Sequence, residues 1–407
     1  MCDLAHYSIS IVAGLAIAYL ALLFTGTSSI NDEAARITSI SVSYSIAYLP
    51  YLLALWIATI VPETRRLRVV VVGGALLFRL LAFSLPPALS DDVLRYEWEA
   101  SRLAIGENPY RVSPASVGAG NKRIPGYDFS AVYGPVLEVA HLASFRLGLP
   151  MKASAAFAEA LLLGLFWWWM RERGWPLWRW IVLGWSPLNV YEYWMNGHND
   201  AWLILLLFAA FVTDGFWSWI LLALATLTKW WPMLLIPLWL KLSFSWPGMI
   251  GYGLLMASCL LWIPVGEWVT KVRFTTGFLG GWQNNAFLYR LLSDKMQAIA
   301  LIVSLSAVLP FLKQGKAELI VWFLTFFLAI SANIHPWYLG WLLPFLGASR
   351  VNPLPWLLAM ALLPLAYDPM IGWRLNGEWR EDTIIRNLIW GSVSVYSLFQ
   401  VVRSRNR

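Results

Sequence analysis

The chain has 407 residues, 59% of them hydrophobic and 13% charged, with a formal charge of +7. A soluble domain carries about 25% charged residues, so this balance excludes a water-soluble enzyme and one with a single anchor; mean hydropathy is +0.60. The positive charge informs through its distribution rather than its size, and no nucleic-acid partner is expected.

Apolar stretches predict helices over 7–24, 44–61, 67–85, 151–170, 178–195, 199–213, 216–241, 247–265, 297–312, 317–333, 336–349, 352–367 and 384–402. The pattern is that of an all-α polytopic membrane protein with about 12–14 transmembrane helices, at roughly 20 residues per span. It reads as a single domain over 1–407: N-terminal helices 1–85, an extracytoplasmic loop 86–150, and a helical bundle 151–407. The first stretch lacks a basic leader and a small-residue cleavage site, so it reads as a retained helix. The two cysteines, Cys2 and Cys259, suggest neither a disulfide framework nor a metal site.

Asp91 and Asp92 sit just past the third stretch and open the segment SDDVLRYEWEASRLAIGENPY. Ionisable groups at the membrane edge are costly and default to functional candidates. The competing reading is a helix N-cap by Ser90, Asp91 or Asp92. Val93–Ile105 sets Leu94 and Trp98 on one stripe and Arg95, Glu99 and Arg102 on another, an amphipathic helix suited to the membrane surface. Asn108-Pro109-Tyr110 then turns the chain into a polar stretch. A second amphipathic helix is expected over 135–148; the two would form a lid over whatever Asp91 and Asp92 face, and an interfacial anchor with no catalysis fits the amphipathicity equally.

Further along, Asn196-Gly197-His198-Asn199-Asp200 forms a tight turn between apolar segments. Its Gly and Asn are ordinary turn residues, but a His beside an Asp at membrane depth also has a functional reading. The 216–241 stretch contains Lys229 and Pro232, which points to a broken helix lining a polar cavity. Lys229 either snorkels to the interface or binds a phosphate as a compact charge. His335 precedes a proline beside Trp337 and Tyr338. Most of the 27 tryptophans suit interfacial belts.

Basic residues cluster at Arg65, Arg66 and Arg68; at Arg171, Arg173 and Arg179; at Lys313 and Lys316; and at Arg403, Arg405 and Arg407. All four clusters fit the cytoplasmic side if 216–241 crosses twice or a neighbouring segment is re-entrant. The N-terminus is then cytoplasmic, and every chemical-looking loop falls on the opposite face.

These motifs resemble the GT-C superfamily of multi-spanning glycosyltransferases, in its polyprenol-phosphate-mannose-dependent branch. The acidic pair with Arg95-Tyr96 and Asn108-Pro109-Tyr110 looks like that family's first extracytoplasmic loop. NGHND, LTKWWP, WQNNAFLYRLL and IHPWYLGW are similar to its later motifs, in the same order, between Asp91 and Leu343. Glu99-Ala100 departs from a frequent Asp-Gly pair.

The resemblance implies a GT-C fold and transfer of a hexose, expected to be mannose. The donor is a polyprenyl (dolichyl) phosphate, and the acceptor a lipid-linked or glycan molecule on the extracytoplasmic face. It implies inversion at the anomeric carbon, with a carboxylate as general base and cations at the leaving phosphate. Asp91 is the expected base, with Asp92 its alternative or orienting partner. Lys229, His335, Arg290 and Arg374 are candidates for the donor phosphate. Arg95, Tyr96, Asn108, Tyr110, His198, Asn199 and Asp200 would shape the pocket. Membrane lipids are partners; no metal and no cofactor are expected. A transporter or flippase is the alternative, but that class shows an internal repeat, and none is visible. A non-catalytic scaffold subunit is the third reading.

Overall fold

The computed structural model describes residues 2–25, 32–264, 266–267, 283–292 and 294–405. Helix dominates; among the described residues the only sheet-like feature is an isolated parallel bridge between Asn284 and Asn333. In chain order the helices are α1 (Cys2–Thr25), α2 (Glu33–Ile46), α3 (Tyr48–Ile60), α4 (Arg65–Ser84), α5 (Asp92–Ala104), α6 (Pro135–Arg146), α7 (Lys152–Glu172), α8 (Leu177–Gly184) and the short α9 (Pro187–Asn189). There follow α10 (Asp200–Val212), α11 (Gly215–Thr226), α12 (Ile236–Leu242), α13 (Trp246–Trp262), α14 (Lys295–Val308), α15 (Lys316–Ile330), α16 (Leu343–Ala348), α17 (Leu354–Leu362), α18 (Asp368–Asn376) and α19 (Thr383–Arg405).

Among the described residues, four helical stretches are long and apolar enough to cross a membrane: Glu33–Ile60, Arg65–Ser84, Lys152–Glu172 and Leu354–Asn376. The other apolar segments give shorter or interrupted helices, and prolines explain several breaks. The 178–195 stretch ends its first helix at Gly184 because Pro187 removes an N–H and holds Ser186 extended (φ −57°, ψ 120°). It resumes as α9 and a π-helical turn, Val190–Met195. The 216–241 stretch is broken as expected: α11 stops at Thr226, and a 3₁₀ turn, Trp231–Leu235, leads into α12.

The chain folds as two compact units, one of Met1–Leu89, Met170–Met195 and His335–Arg407, the other of Ser90–Trp169 and Asn196–Ile334. The first unit is built on aromatic packing. Tyr19 stacks on Phe78 at 4.2 Å and Tyr44 on Tyr191 at 4.4 Å. Its buried Arg79 donates to the Ala75 and Gly184 carbonyls at 3.0 and 2.6 Å. Glu192, fully buried in the π turn, accepts from the Tyr367 hydroxyl on both oxygens, at 2.9 and 3.0 Å. Arg68 and Arg171, from two of the basic clusters, both pair with Glu63, at 3.3 and 2.8 Å. Those two clusters therefore share one side of this unit. Arg407 of the last cluster lies outside the described residues.

The second unit carries the large loop and the broken helix. The break at Leu227–Trp230 leaves carbonyls without helical partners, which is tolerated only when other groups satisfy them. The loop supplies those groups: Gly134 N–H donates to Thr228 O at 2.9 Å and Val136 N–H to Leu227 O at 3.1 Å. The Trp230 indole returns the contact, donating to Val132 O at 3.1 Å. Gly134 is required here, because a Cβ would overlap the Leu227 carbonyl.

Candidate active site

The site is assembled within the second unit, around the start of α5. Asp91 stands at the N-cap position, yet its side chain makes no capping bond. Ser90 Oγ instead accepts from the Asp92 N–H at 3.2 Å. The Asp91 carboxylate is held by Arg123, which donates from Nη2 to Oδ1 at 2.8 Å and from Nε to Oδ2 at 3.4 Å. The Asp92 carboxylate accepts from the Tyr96 hydroxyl at 3.4 Å, and its Oδ2 lies 3.8 Å from His198 Nε2.

His198 reaches Asp92 because the turn before it is tight. Gly197 has φ +78°, and a Cβ there would sit 2.6 Å from Lys152 Cβ and 3.1 Å from Val93 Cγ1. No other residue type fits both that backbone and that gap. His198 and Asp200 are fully buried. Asn199 is buried as well, and neither its Oδ1 nor its Nδ2 makes a hydrogen bond within the protein. Asp200 Oδ2 accepts from Lys229 Nζ at 2.8 Å. Lys229 sits in the helix break, 5.2 Å from the centre of the Tyr133 ring. The break thus delivers the ammonium to the NGHND turn.

Burial pushes Asp92 above the usual carboxylate range; the neighbouring charges of His198 and Lys229 oppose that shift, and Asp200 and Asp91 add to it. A neutral form of Asp92 is therefore accessible at higher pH than for an ordinary aspartate. His141, stacked on Tyr96 at 4.5 Å, is pushed down to about 3 by burial and is neutral at physiological pH.

One sequence expectation is reversed. The Arg95–Glu99 stripe of α5 faces inward, not toward solvent or lipid headgroups: the two side chains are 6% and 0% exposed and pair at 2.7 Å. Arg95 also donates to the Gly126 and Pro125 carbonyls at 3.0 and 3.5 Å, which fixes the loop on the helix. Pairing at i,i+4 and those carbonyls offset much of the cost of burying charges that a helical wheel alone assigns to solvent, though Arg95 Nη2 and Glu99 Oε2 find no hydrogen-bond partner within the protein. Of the buried apolar residues of α5, Tyr96 and Ala100 pack with Met151, Val93 and Tyr133, while Trp98 lies against Arg95.

Asn108 and Tyr110 tether the loop. Asn108 Nδ2 donates to Trp262 O at 2.7 Å, its Oδ1 accepts from Tyr110 N–H at 2.9 Å, and the Tyr110 hydroxyl donates to Tyr133 O at 2.8 Å. Arg290 is exposed on the turn Leu288–Leu291 of the same unit. Beside it Asn285, at φ +52°, donates from Nδ2 to Ile334 O at 3.3 Å. Trp282 of that motif lies outside the described residues. His335 and Arg374 belong to the first unit. There His335 stacks on Trp337 at 4.4 Å, and Arg374 pairs with Glu33 at 3.0 Å.

Sequence reasoning missed Arg123, Glu138 and His141. Arg123 lies in a Gly/Ser/Pro-rich stretch that carries no signal. Glu138 and His141 are both buried on α6; a Glu and a His three residues apart on an apolar helix was the available signal.

No family model, curated protein or solved structure matches this chain. Its chemistry is therefore argued from the site alone. Among the described residues no group of three or more His, Cys, Asp or Glu is arranged to hold a metal ion. What the site offers is a carboxylate under a half-exposed cation, Asp91–Arg123, and beside it the fully buried His198 and Asp200 with the partly exposed Asp92 and Lys229. Such a pairing provides a base on one side and anion stabilisation on the other.

Proposed function

We propose that this protein is a membrane glycosyltransferase that moves a hexose, mannose by preference, from a polyprenyl phosphate to a lipid-linked or glycan acceptor. The single observation that carries this reading is the convergence, around one helix start, of two carboxylates with a histidine and a lysine drawn from three distant segments. In this reading the site faces the extracytoplasmic side.

Asp91 is the general base. The acceptor hydroxyl displaces Arg123, gives its proton to the Asp91 carboxylate, and attacks the anomeric carbon. The carbon–oxygen bond to phosphate breaks on the opposite face, inverting the centre. The leaving phosphate monoester needs no proton, but its charge needs cations. Lys229 supplies the charge, and His198 lies within reach to donate a hydrogen bond. Asp92 lies beside them, its Oδ2 3.8 Å from His198 Nε2. His335, Arg290 and Arg374 remain candidates for the outer part of the donor.

The test is transfer by purified protein from synthetic polyprenyl-phosphate-mannose to an acceptor panel, with and without EDTA. The expected outcome is chelator-resistant transfer with an inverted linkage. Absence of transfer to every acceptor, or activity that requires an added divalent ion, overturns the scheme.

A further inference from the structure

An open pocket of about 240 Å³ lies against α5, away from the Asp92–His198 cluster. Its lining joins Leu94, Glu97, the largely buried Trp98 and Ser101 of α5 to Asn121, Ile124 and Phe145. The volume is below that of drug-sized pockets, roughly 300–1,000 Å³, and suits one ring.

The lining selects a ligand class. Glu97 opposes a phosphate, and with Asn121 and Ser101 it is too polar for an acyl chain. A pyranose ring matches it, with a C–H face for aromatic and aliphatic carbon and a rim of hydroxyls for a carboxylate, an amide and a hydroxyl. The Trp98 ring is held for this: the Arg95 guanidinium covers it at 4.9 Å from the centroid, which fixes its plane.

The pocket points at the proposed base. Asp91, Leu94, Trp98 and Ser101 follow at three- and four-residue spacing, so they form one stripe of the helix. Leu94 N–H already donates to Asp91 O at 2.9 Å. Leu94 to Ser101 spans about 10 Å at ~1.5 Å per residue. The turn that closes the pocket, Asn121–Ile124, also carries Arg123 to Asp91.

We propose that this pocket is an acceptor subsite that binds a hexose unit remote from the reacting hydroxyl. The acceptor is then an oligosaccharide rather than a single sugar on a lipid. This rests on the glycosyltransferase reading.

The experiment measures KM for a ladder of octyl mannosides of one to four residues, with synthetic polyprenyl-phosphate-mannose as donor. In the wild type KM falls by about tenfold between short and long acceptors, the worth of one or two hydrogen bonds. Glu97→Gln, Asn121→Ala and Trp98→Leu each bring the ratio of the two KM values toward one. Glu97 and Asn121 are exposed, so their variants keep the test free of folding defects. A wild-type KM independent of length, or a length dependence that survives in the Glu97 and Asn121 variants, overturns the subsite while leaving transfer intact. If the wild type transfers nothing, the catalytic reading has failed, and saturation-transfer NMR with mannotriose judges the pocket alone. Saturation in the wild type that is lost in Glu97→Gln supports the subsite; none in the wild type overturns it.

Discussion

Arg123 and Asp91 pair at 2.8 Å from very different surroundings: the Arg123 side chain is 50% exposed, that of Asp91 only 5%. A buried carboxylate thus depends on a cation that water can reach. It makes no cap bond, so it is not explained by helix capping. Asp91→Asn keeps the shape and removes the base. The expected loss of transfer is roughly 10²–10⁴-fold, the range for general acid–base catalysis. Thermal unfolding should stay near wild type, since the lost ion pair has one half-exposed partner and such pairs are worth about 0–1 kcal/mol. A variant that transfers sugar at the wild-type rate removes Asp91 from the mechanism.

The same pair predicts how the loop is held. An ion pair with one exposed partner is weakened by salt. Arg123→Gln should speed proteolysis within 111–130 at low salt, and raising salt should close the gap with the wild type. Cleavage by chymotrypsin, which does not require the substituted residue, is the readout. Identical cleavage rates at every salt concentration would show that Arg123 does not latch the loop.

Asp92 gives a pH prediction with a definite sign. Its proton affinity is raised in the folded state by burial, so between the unfolded value near 3.9 and the raised folded value the native protein binds more protons than the unfolded chain. Stability therefore falls as pH rises through that window. The penalty is absent below it and complete above it. Asp92→Asn removes the penalty, so it should unfold at a higher temperature than wild type at pH 7. The difference should vanish as pH falls through the window. Melting curves across pH check this; a variant less stable at pH 7 and no less so at low pH contradicts the assignment of cause.

Lys229 and Asp200 separate structure from binding. Removing one partner of a buried pair costs about 3–5 kcal/mol, and the Asp200 side chain is 1% exposed. Lys229→Ala alone should be strongly destabilised, and Lys229→Ala with Asp200→Ala should recover much of that loss. Donor affinity should stay low in both. If the double variant binds the lipid phosphosugar like wild type, Lys229 is a counter-ion to Asp200 and nothing more.

The sequence made the chemistry of the site more legible than its walls. Asp91, Asp92, His198, Asp200 and Lys229 stood out because charge in an apolar chain is rare and each is placed at a break or turn. The same logic misjudged α5: periodicity shows which residues share a face, not which face is covered. Arg95 and Glu99 neutralise one another and bind loop carbonyls, so the charged stripe went inside. Arg123 was illegible because its partner is 32 residues away across an irregular loop. His335 and Arg374 fall in the first unit, and order along the sequence says nothing about which unit a residue joins.

The bonds from Gly134 and Val136 to the helix break divide the loop into parts with unequal freedom. Residues near 134 are bonded to the broken helix itself, whereas the segment around 123–126 meets α5 through the Arg123 and Arg95 guanidinium groups. Amide exchange should be slow at Gly134 and Val136 although both lie at the end of a loop, and fast around Asn121.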